Sequence, residues 1–240
     1  MFAYTVLPFE TDMYGCLKPS QLLRLCMHSC SVKQEAEGVG AALRNLIPGC
    51  AWMLARFCMT QDAPIRAEDA LTLDCSERSV DGAAYIRQVR VYRAGAVVAE
   101  CRFVWTLIDM NNRKILRAKN VETRMTEFPP PIELAPLPRL ASPGDLTDFG
   151  SFPVRRSDCD QNGHFSSANY IDLLCDAFGF WKDGAALMKS LQIDYHSEFL
   201  PEELLLLSGK YGDDGCFARG CHADGRKGFS AFFRRQEIFS

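Results

Sequence analysis

The chain reads as an α+β protein built from two similar halves, each one buried helix followed by a run of antiparallel strands. Three observations lead there: a short motif recurs at a fixed interval, the apolar residues after each copy repeat first at helical and then at strand spacing, and a proline cluster divides the copies.

In the first copy TVLPFET precedes Asp12, and the turn residues MYG and then KPSQLLRLCMHSCSVKQEAEG follow it. In the second, SFPVRRSDC precedes Asp160, and QNG and then HFSSANYIDLLCDAFGFW follow. Asp12 and Asp160 stand 148 residues apart (160 − 12), and Gly15 and Gly163 keep the same interval. Each copy therefore reads as strand, Asp-x-x-Gly turn, helix. Leu22, Leu23, Cys26, Met27 and Cys30 recur at helical spacing behind Pro19 and Ser20, which suit a first helical turn. Tyr170, Ile171, Leu174, Ala177, Phe178 and Trp181 do the same behind caps at Ser166 or Ser167.

After each helix, β-branched and aromatic residues divided by Gly and Asp turns predict strands. They are AWMLARFCM, LTLDC, YIRQVRVY and VVAECRFVWTLID in the first half, and LQIDYHSEF, LLLLSGKY, GCFARGCH and GFSAFFRR in the second. Six of the twelve prolines fall between Pro129 and Pro143, where missing N–H donors and pre-proline restriction disfavour a helix or a central strand. The expected division is a first unit over 1–128, an extended connector over 129–148 and a second unit over 149–240.

With 240 residues, 48% of them hydrophobic, the chain can bury a substantial core. No apolar run approaches the roughly 20 residues of a membrane span, and MFAYTVLPFE lacks the basic-then-apolar order of a secretory signal, so a cytoplasmic protein is expected. A net charge of −3 gives no nucleic-acid footprint, and the pairs Arg155–Arg156, Arg226–Lys227 and Arg234–Arg235 read as solvated surface charge. The eleven cysteines are odd in number and mostly sit in apolar segments, which fits reduced, buried thiols. His28 between Cys26 and Cys30 is on the wrong helix face for chelation, and Cys216, Cys221 and His222 are an incomplete ligand set, so neither metal nor cofactor is expected.

The run DQNGHFSSANY sets a carboxylate, a carboxamide and an imidazole at alternate positions, Asp160, Asn162 and His164, directly before a helix. Such a cluster offers a proton acceptor, an orienting group and backbone N–H donors at one point, as acyl transfer to water requires. Cys159 would face away from Asp160 if the chain is extended there, so packing suits it better than a nucleophilic role.

These residues resemble the acyl-acyl-carrier-protein thioesterases, a family of tandem hotdog domains, over nearly the whole chain. Asp160, Asn162 and His164 match the Asp-x-Asn-x-His motif before the central helix of that family's second hotdog, and Glu198 in DYHSEF matches its catalytic Glu. Tyr170 resembles the Tyr that follows the corresponding turn in hotdog thioesterases more widely. Plant members carry Asn-Asn where this chain has Ser166-Ser167, and Cys where it has Phe199, which argues against a mechanism needing that cysteine.

The resemblance implies that His164 and Glu198 orient or deprotonate water and that Asn162 holds water or substrate. Asp160 is either a nucleophile or an electrostatic partner. Strand parity complicates Glu198: it shares a face with Gln192, Asp194 and His196, opposite Ile193, Tyr195 and Phe199, so it should face solvent unless the strand end bends near Pro201. The first half, with Tyr14 and Cys16 at the matching positions, resembles a catalytically silent repeat. By resemblance it forms the acyl cavity, with candidates Leu23, Met27, Trp52, Met53, Leu54 and Phe57.

The implied function is hydrolysis of fatty acyl-acyl carrier protein to free acid, ending chain elongation. The implied partners are a fatty acyl thioester and the acidic carrier protein, docked through an unassigned basic cluster, with a homodimer left open and neither nucleic acid nor membrane expected. An acyl-CoA thioesterase of the same architecture and a non-hydrolytic acyl-binding or sensor module are the alternatives. A hotdog dehydratase fits HFSS poorly.

Overall fold

A computed structural model describes residues 1–38, 49–76, 78–112, 114–117, 134 and 137–238. Residues 118–133, 135 and 136, which take in the end of the expected first unit and the start of the expected connector, lie outside the described residues. The first half contains β1 (Phe2–Thr5), α1 (Pro19–Ala36), β2 (Cys50–Gln61), β3 (Ala70–Asp74), β4 (Arg78–Asp81), β5 (Ala84–Arg93), β6 (Ala96–Asp109) and β7 (Lys114–Leu116). The second contains β8 (Thr147–Pro153), α2 (Asn169–Ala177), β9 (Ala186–Tyr195), β10 (Leu204–Gly212), β11 (Gly215–Cys221) and β12 (Lys227–Glu237).

All the strands join one antiparallel sheet in the order β1-β3-β5-β6-β2-β9-β12-β11-β10-β8, with β4 on β5 and β7 on β6. The order is the same read inward from either end, so the halves meet at β2 and β9, and the whole is a tandem hotdog. At that seam Arg56 pairs with Asp194, Cys58 with Gln192 and Thr60 with Ser190. Each half curls its strands over one helix because each helix carries a broad apolar face. Leu22, Leu23, Cys26 and Cys30 of α1, and Tyr170, Ile171, Leu174 and Cys175 of α2, are buried in a single core that runs through both halves.

Four expectations need correction. The stretch before each Asp is not one strand, because a single 3-10 turn (Pro8–Glu10, Arg156–Asp158) intervenes. In each a carboxylate at the end of the turn caps the N–H three residues back, Leu7 N to Glu10 Oε2 at 2.8 Å and Arg155 N to Asp158 Oδ2 at 3.1 Å. Neither Ser166 nor Ser167 caps α2 with its side chain; the Ser166 carbonyl instead accepts Asn169 N at 2.8 Å, and the helix begins only at Asn169. Because α2 ends at Ala177, Trp181 stands in the following turns rather than on the helical stripe.

The fourth correction concerns the strand expected over LQIDYHSEF. It starts earlier and stops at Tyr195, since His196 N and Ser197 N both donate to Gly228 O, at 2.8 and 3.1 Å, which breaks the ladder. Its polar face is not open to solvent either. Connector residues cross the seam, so that Leu140 N and Arg56 Nε bond the Asp194 carboxylate, Gln192 donates to Pro138 O, and Arg56 also donates to Leu137 O. Asp194 is 4% exposed as a result.

Candidate functional site

The turn at Asp160 is held by its own backbone. Asp160 N donates to His164 O at 2.8 Å, Gly163 N to Asp160 O at 2.9 Å, and Asn162 N to the Asp160 carboxylate (Oδ1) at 2.8 Å. Gly163 sits at φ +76°, in the left-handed region where glycine carries no Cβ penalty, which explains its place in the motif. The loop thereby points Asp160, Asn162 and His164 outward from the start of α2; Asp160 and Asn162 are exposed and His164 is half-buried.

The segment that carries Glu198, between β9 and β10, is bonded to the residue that follows this turn. Phe165 N donates to Phe199 O at 2.9 Å, so the residue after His164 is bonded to the residue after Glu198. The chain then turns at Leu200–Glu203, at the expected Pro201, where Glu203 N donates to Leu200 O at 3.2 Å. Tyr170 lies beneath both segments, 3% exposed, with its ring edge-on to Phe165, Tyr195 and Phe229. Burial pushes its phenol well up; a hydrogen bond from the Phe199 backbone opposes this, while the charges of Glu198 and Asp160 add to it. Tyr170 thus senses both carboxylates and stays a neutral O–H.

The start of α2 supplies donors. Asn169 N and Ile171 N turn back on Ser166 O and Ala168 O, but among the described residues Ser167 N and Ala168 N donate to no group. They lie at the positive end of the helix, where an oxyanion is favoured. Cys159 packs as expected: burial raises its thiol and the charges of Asp158 and Asp160 raise it further, so it is no thiolate.

Several neighbours had no signal in the sequence. Arg24 of α1 crosses from the first half to bond Asn169 Oδ1 and faces Asp172 at 4.0 Å, while Asn169 Nδ2 donates to Asp158 O at 2.8 Å. Tyr195 donates its hydroxyl to Ser167 O at 3.0 Å. These groups brace the helix start from three elements, and no local spacing announces them.

The six candidates from the first half are dispersed. Met27 comes nearest, its sulfur 4.0 Å from Ser167 Oγ at the mouth of α2. Leu23 and Phe57 are fully buried core, and Leu54 packs partly buried against it. Trp52 stacks edge-on to Tyr85, whereas Met53 is 37% exposed. A groove of about 300 Å³ opens beside the site, lined by Phe152, Val154, Phe165, Asn169, Leu173 and Leu205 among others. Its walls come from the second half, and none of the six lines it.

No family model matches the chain, and no curated protein matches it. Solved structures do. An acyl-ACP thioesterase from Bacteroides thetaiotaomicron superposes with a TM-score of 0.80 at 18% identity, over 98% of this chain and 96% of its own. The 12:0-ACP thioesterase from Umbellularia californica gives 0.76 at 13% identity, over 98% and 96%. The likeness is one of fold, and it spans both halves of the tandem.

Proposed function

We propose that the chain hydrolyses fatty acyl thioesters, with acyl-acyl carrier protein as its substrate. The observation that carries the reading is the convergence of Asp160, Asn162, His164 and the Glu198 segment at one helix start, on a fold shared with acyl-ACP thioesterases. Hydrolysis of a thioester asks little of the leaving group, since a thiol of pKa about 8.5 departs readily as thiolate. Water activation and oxyanion stabilisation are the main demands.

In this reading Glu198 and His164 orient and deprotonate water, Asn162 holds it or the substrate, and the Ser167 and Ala168 amides receive the oxyanion. Asp160 either attacks the carbonyl itself or sets the field for Glu198 and His164; single turnover in ¹⁸O-water, with mass analysis of Asp160, separates these routes. The first half, 1–128, is assigned the acyl chain, with Met27 at the junction and Leu23, Trp52, Met53, Leu54 and Phe57 as the remaining candidates. The second, 149–240, carries the chemistry. Among the described residues no helix is long and apolar enough to cross a membrane, which suits action on a carrier protein in the cytoplasm.

Thiol release from one acyl group on carrier protein and on coenzyme A, followed colorimetrically, tests both levels. The reading expects turnover on both and a higher kcat/KM on carrier protein that falls with salt. Unchanged rates in Asn162→Ala, His164→Ala and Glu198→Ala together would remove it.

A further inference from the structure

The segment 196–203 that carries Glu198 is clasped from the β11–β12 hairpin. His222, 4% exposed, places Nε2 2.8 Å from Ser197 Oγ and Nδ1 3.3 Å from Glu203 Oε2. Its ring lies flat on Phe199, with centroids 4.0 Å apart and planes 17° apart. Ser197 Oγ also donates to Lys227 O at 2.8 Å, and Glu203 accepts Leu200 N at 2.9 Å. Glu198 therefore stands between two anchored neighbours, Ser197 on one side and Phe199 on the other.

The first half shows what this clasp replaces. Val6 accepts from Glu68 N and donates to Asp69 O there, as Val154 accepts from Glu202 N and donates to Glu203 O in the second half, so the strands correspond at an interval of 134 (202 − 68). Pro64 thus occupies the place of Glu198, and Asp69 that of Glu203. Arg93 ends β5 after a register shift between Val91 and Tyr92, as His222 follows β11 after the shift between Gly220 and Cys221. Its guanidinium bonds Asp69 at 2.7 Å and the Pro64 carbonyl at 2.8 Å. Where no Glu is present, a cation grips the backbone of residue 64 itself. Where Glu198 is present, an imidazole holds the residues on either side.

Resting on the reading that Glu198 activates water, we propose that His222 is a positioning residue: through Ser197, Glu203 and Phe199 it fixes the segment that presents Glu198 to the Asp160 turn. The order Ser197, His222, Glu203 is also that of a nucleophilic serine. Yet Ser197 has one hydroxyl hydrogen and donates it to Lys227 O, so the ring is the donor in the Nε2 contact and takes no proton from the serine.

His222→Phe keeps a ring over Phe199 and removes the Nε2 hydrogen bond to Ser197 and the Nδ1 contact with Glu203. The expected result is a kcat lower by on the order of 100-fold, as for a small misplacement of a reacting group, with KM within about twofold. The acid limb of its pH–rate profile should also move, which a loss of folded enzyme would not cause. Ser197→Ala, a milder change that preserves the stack, should lose about tenfold in kcat and serves if the first variant folds poorly. A kcat within about twofold of wild type in both, while Glu198→Gln loses on the order of 100-fold, overturns the proposal alone. Full activity in Glu198→Gln overturns the functional reading and this one with it, and covalent capture of Ser197 by an alkyl fluorophosphonate would reassign the group as a nucleophile.

Discussion

The turns at Asp12 and Asp160 are built from the same hydrogen bonds. Asp12 N donates to Cys16 O at 2.7 Å as Asp160 N does to His164 O, Gly15 and Gly163 share φ near +75°, and Tyr14 N bonds the Asp12 carboxylate as Asn162 N bonds that of Asp160. They differ in what surrounds the second carboxylate oxygen. Trp181, from the end of the second half's helical region, donates its indole N–H to Asp12 Oδ2 at 2.9 Å, and its carbonyl faces Tyr14 OH at 3.4 Å. Among the described residues the second oxygen of Asp160 takes no hydrogen bond. The aspartate in this loop is thus first a structural device that bonds backbone N–H groups. On the proposed function, chemistry at Asp160 would require in addition that one oxygen stay open and that His164 and Glu198 approach it.

Removing each charge separately breaks the comparison most sharply. In Asp160→Asn the amide oxygen still accepts Asn162 N, so the turn survives while the charge is lost. We expect kcat for thiol release to fall on the order of 10³-fold. Asp12→Asn should leave kcat within about twofold. Equal losses in the two variants would mean that the repeats do not divide the work. Next in size is Glu198→Gln, for which a fall of on the order of 100-fold in kcat with little change in KM is expected; Pro64→Ala, at the matching place, should leave both constants near wild type.

The sequence made the repeat legible because its marks are local. An Asp-x-x-Gly turn, a helical stripe and alternating strands each declare themselves within a dozen residues, and the interval of 148 tied Asp12 to Asp160. What it hid depends on neighbours distant in the chain. Strand parity, carried through to Glu198, predicted a solvent-facing side chain; the parity lapses because Gly228 on β12 takes two amides with one carbonyl. Trp181 read as one more residue of an apolar stripe, and its partner Asp12 is 169 residues away. In the sequence His222 belongs only to an incomplete metal set, because its partners Ser197 and Glu203 lie on another loop. The short strands β4 and β7 gave no pattern of their own beyond a hairpin turn.

Packing sharpens the contrast at Gly228 and Val98, whose carbonyls receive the matching amides of His196 and Asp62. The first half accommodates a buried valine there. In the second half a Cβ on Gly228 would stand 2.1 Å from the Phe199 ring, so Gly228→Ala must displace the ring that stacks on His222. Overpacking of this kind costs about 1–3 kcal/mol, a fall in Tm of roughly 2–12 °C for a protein of this size. It should also lower kcat, because Glu198 adjoins the displaced residue. A Tm loss with full kcat would uncouple Phe199 from the site.

Trp181→Phe removes the indole donor from Asp12 and little else. A hydrogen bond to a charged, partly buried acceptor is worth about 1.5–3 kcal/mol, so thermal unfolding should shift down by roughly 3–12 °C while thiol release per folded molecule holds. A fall in kcat here would show that the Asp12 turn contributes to the reaction.

The smallest effect concerns acid stability of the first half's clasp. Burial by itself raises the Asp69 carboxyl, but the Arg66 backbone N–H and the Arg93 guanidinium outweigh it and hold the group below the ordinary carboxylate range. A carboxyl depressed in the folded state contributes stability that is fully present above its unfolded pKa of about 3.9 and is lost as pH falls through the folded value. Asp69→Asn should therefore lower the urea midpoint by a constant amount between about pH 7 and pH 5, and the gap from wild type should close below about pH 4. The amide keeps an acceptor for Arg66 N and Arg93, so the loss reflects charge rather than geometry. A gap that persists unchanged into acid would mean that Arg93 holds Asp69 and Pro64 by shape alone, and that the first-half clasp owes nothing to its charge.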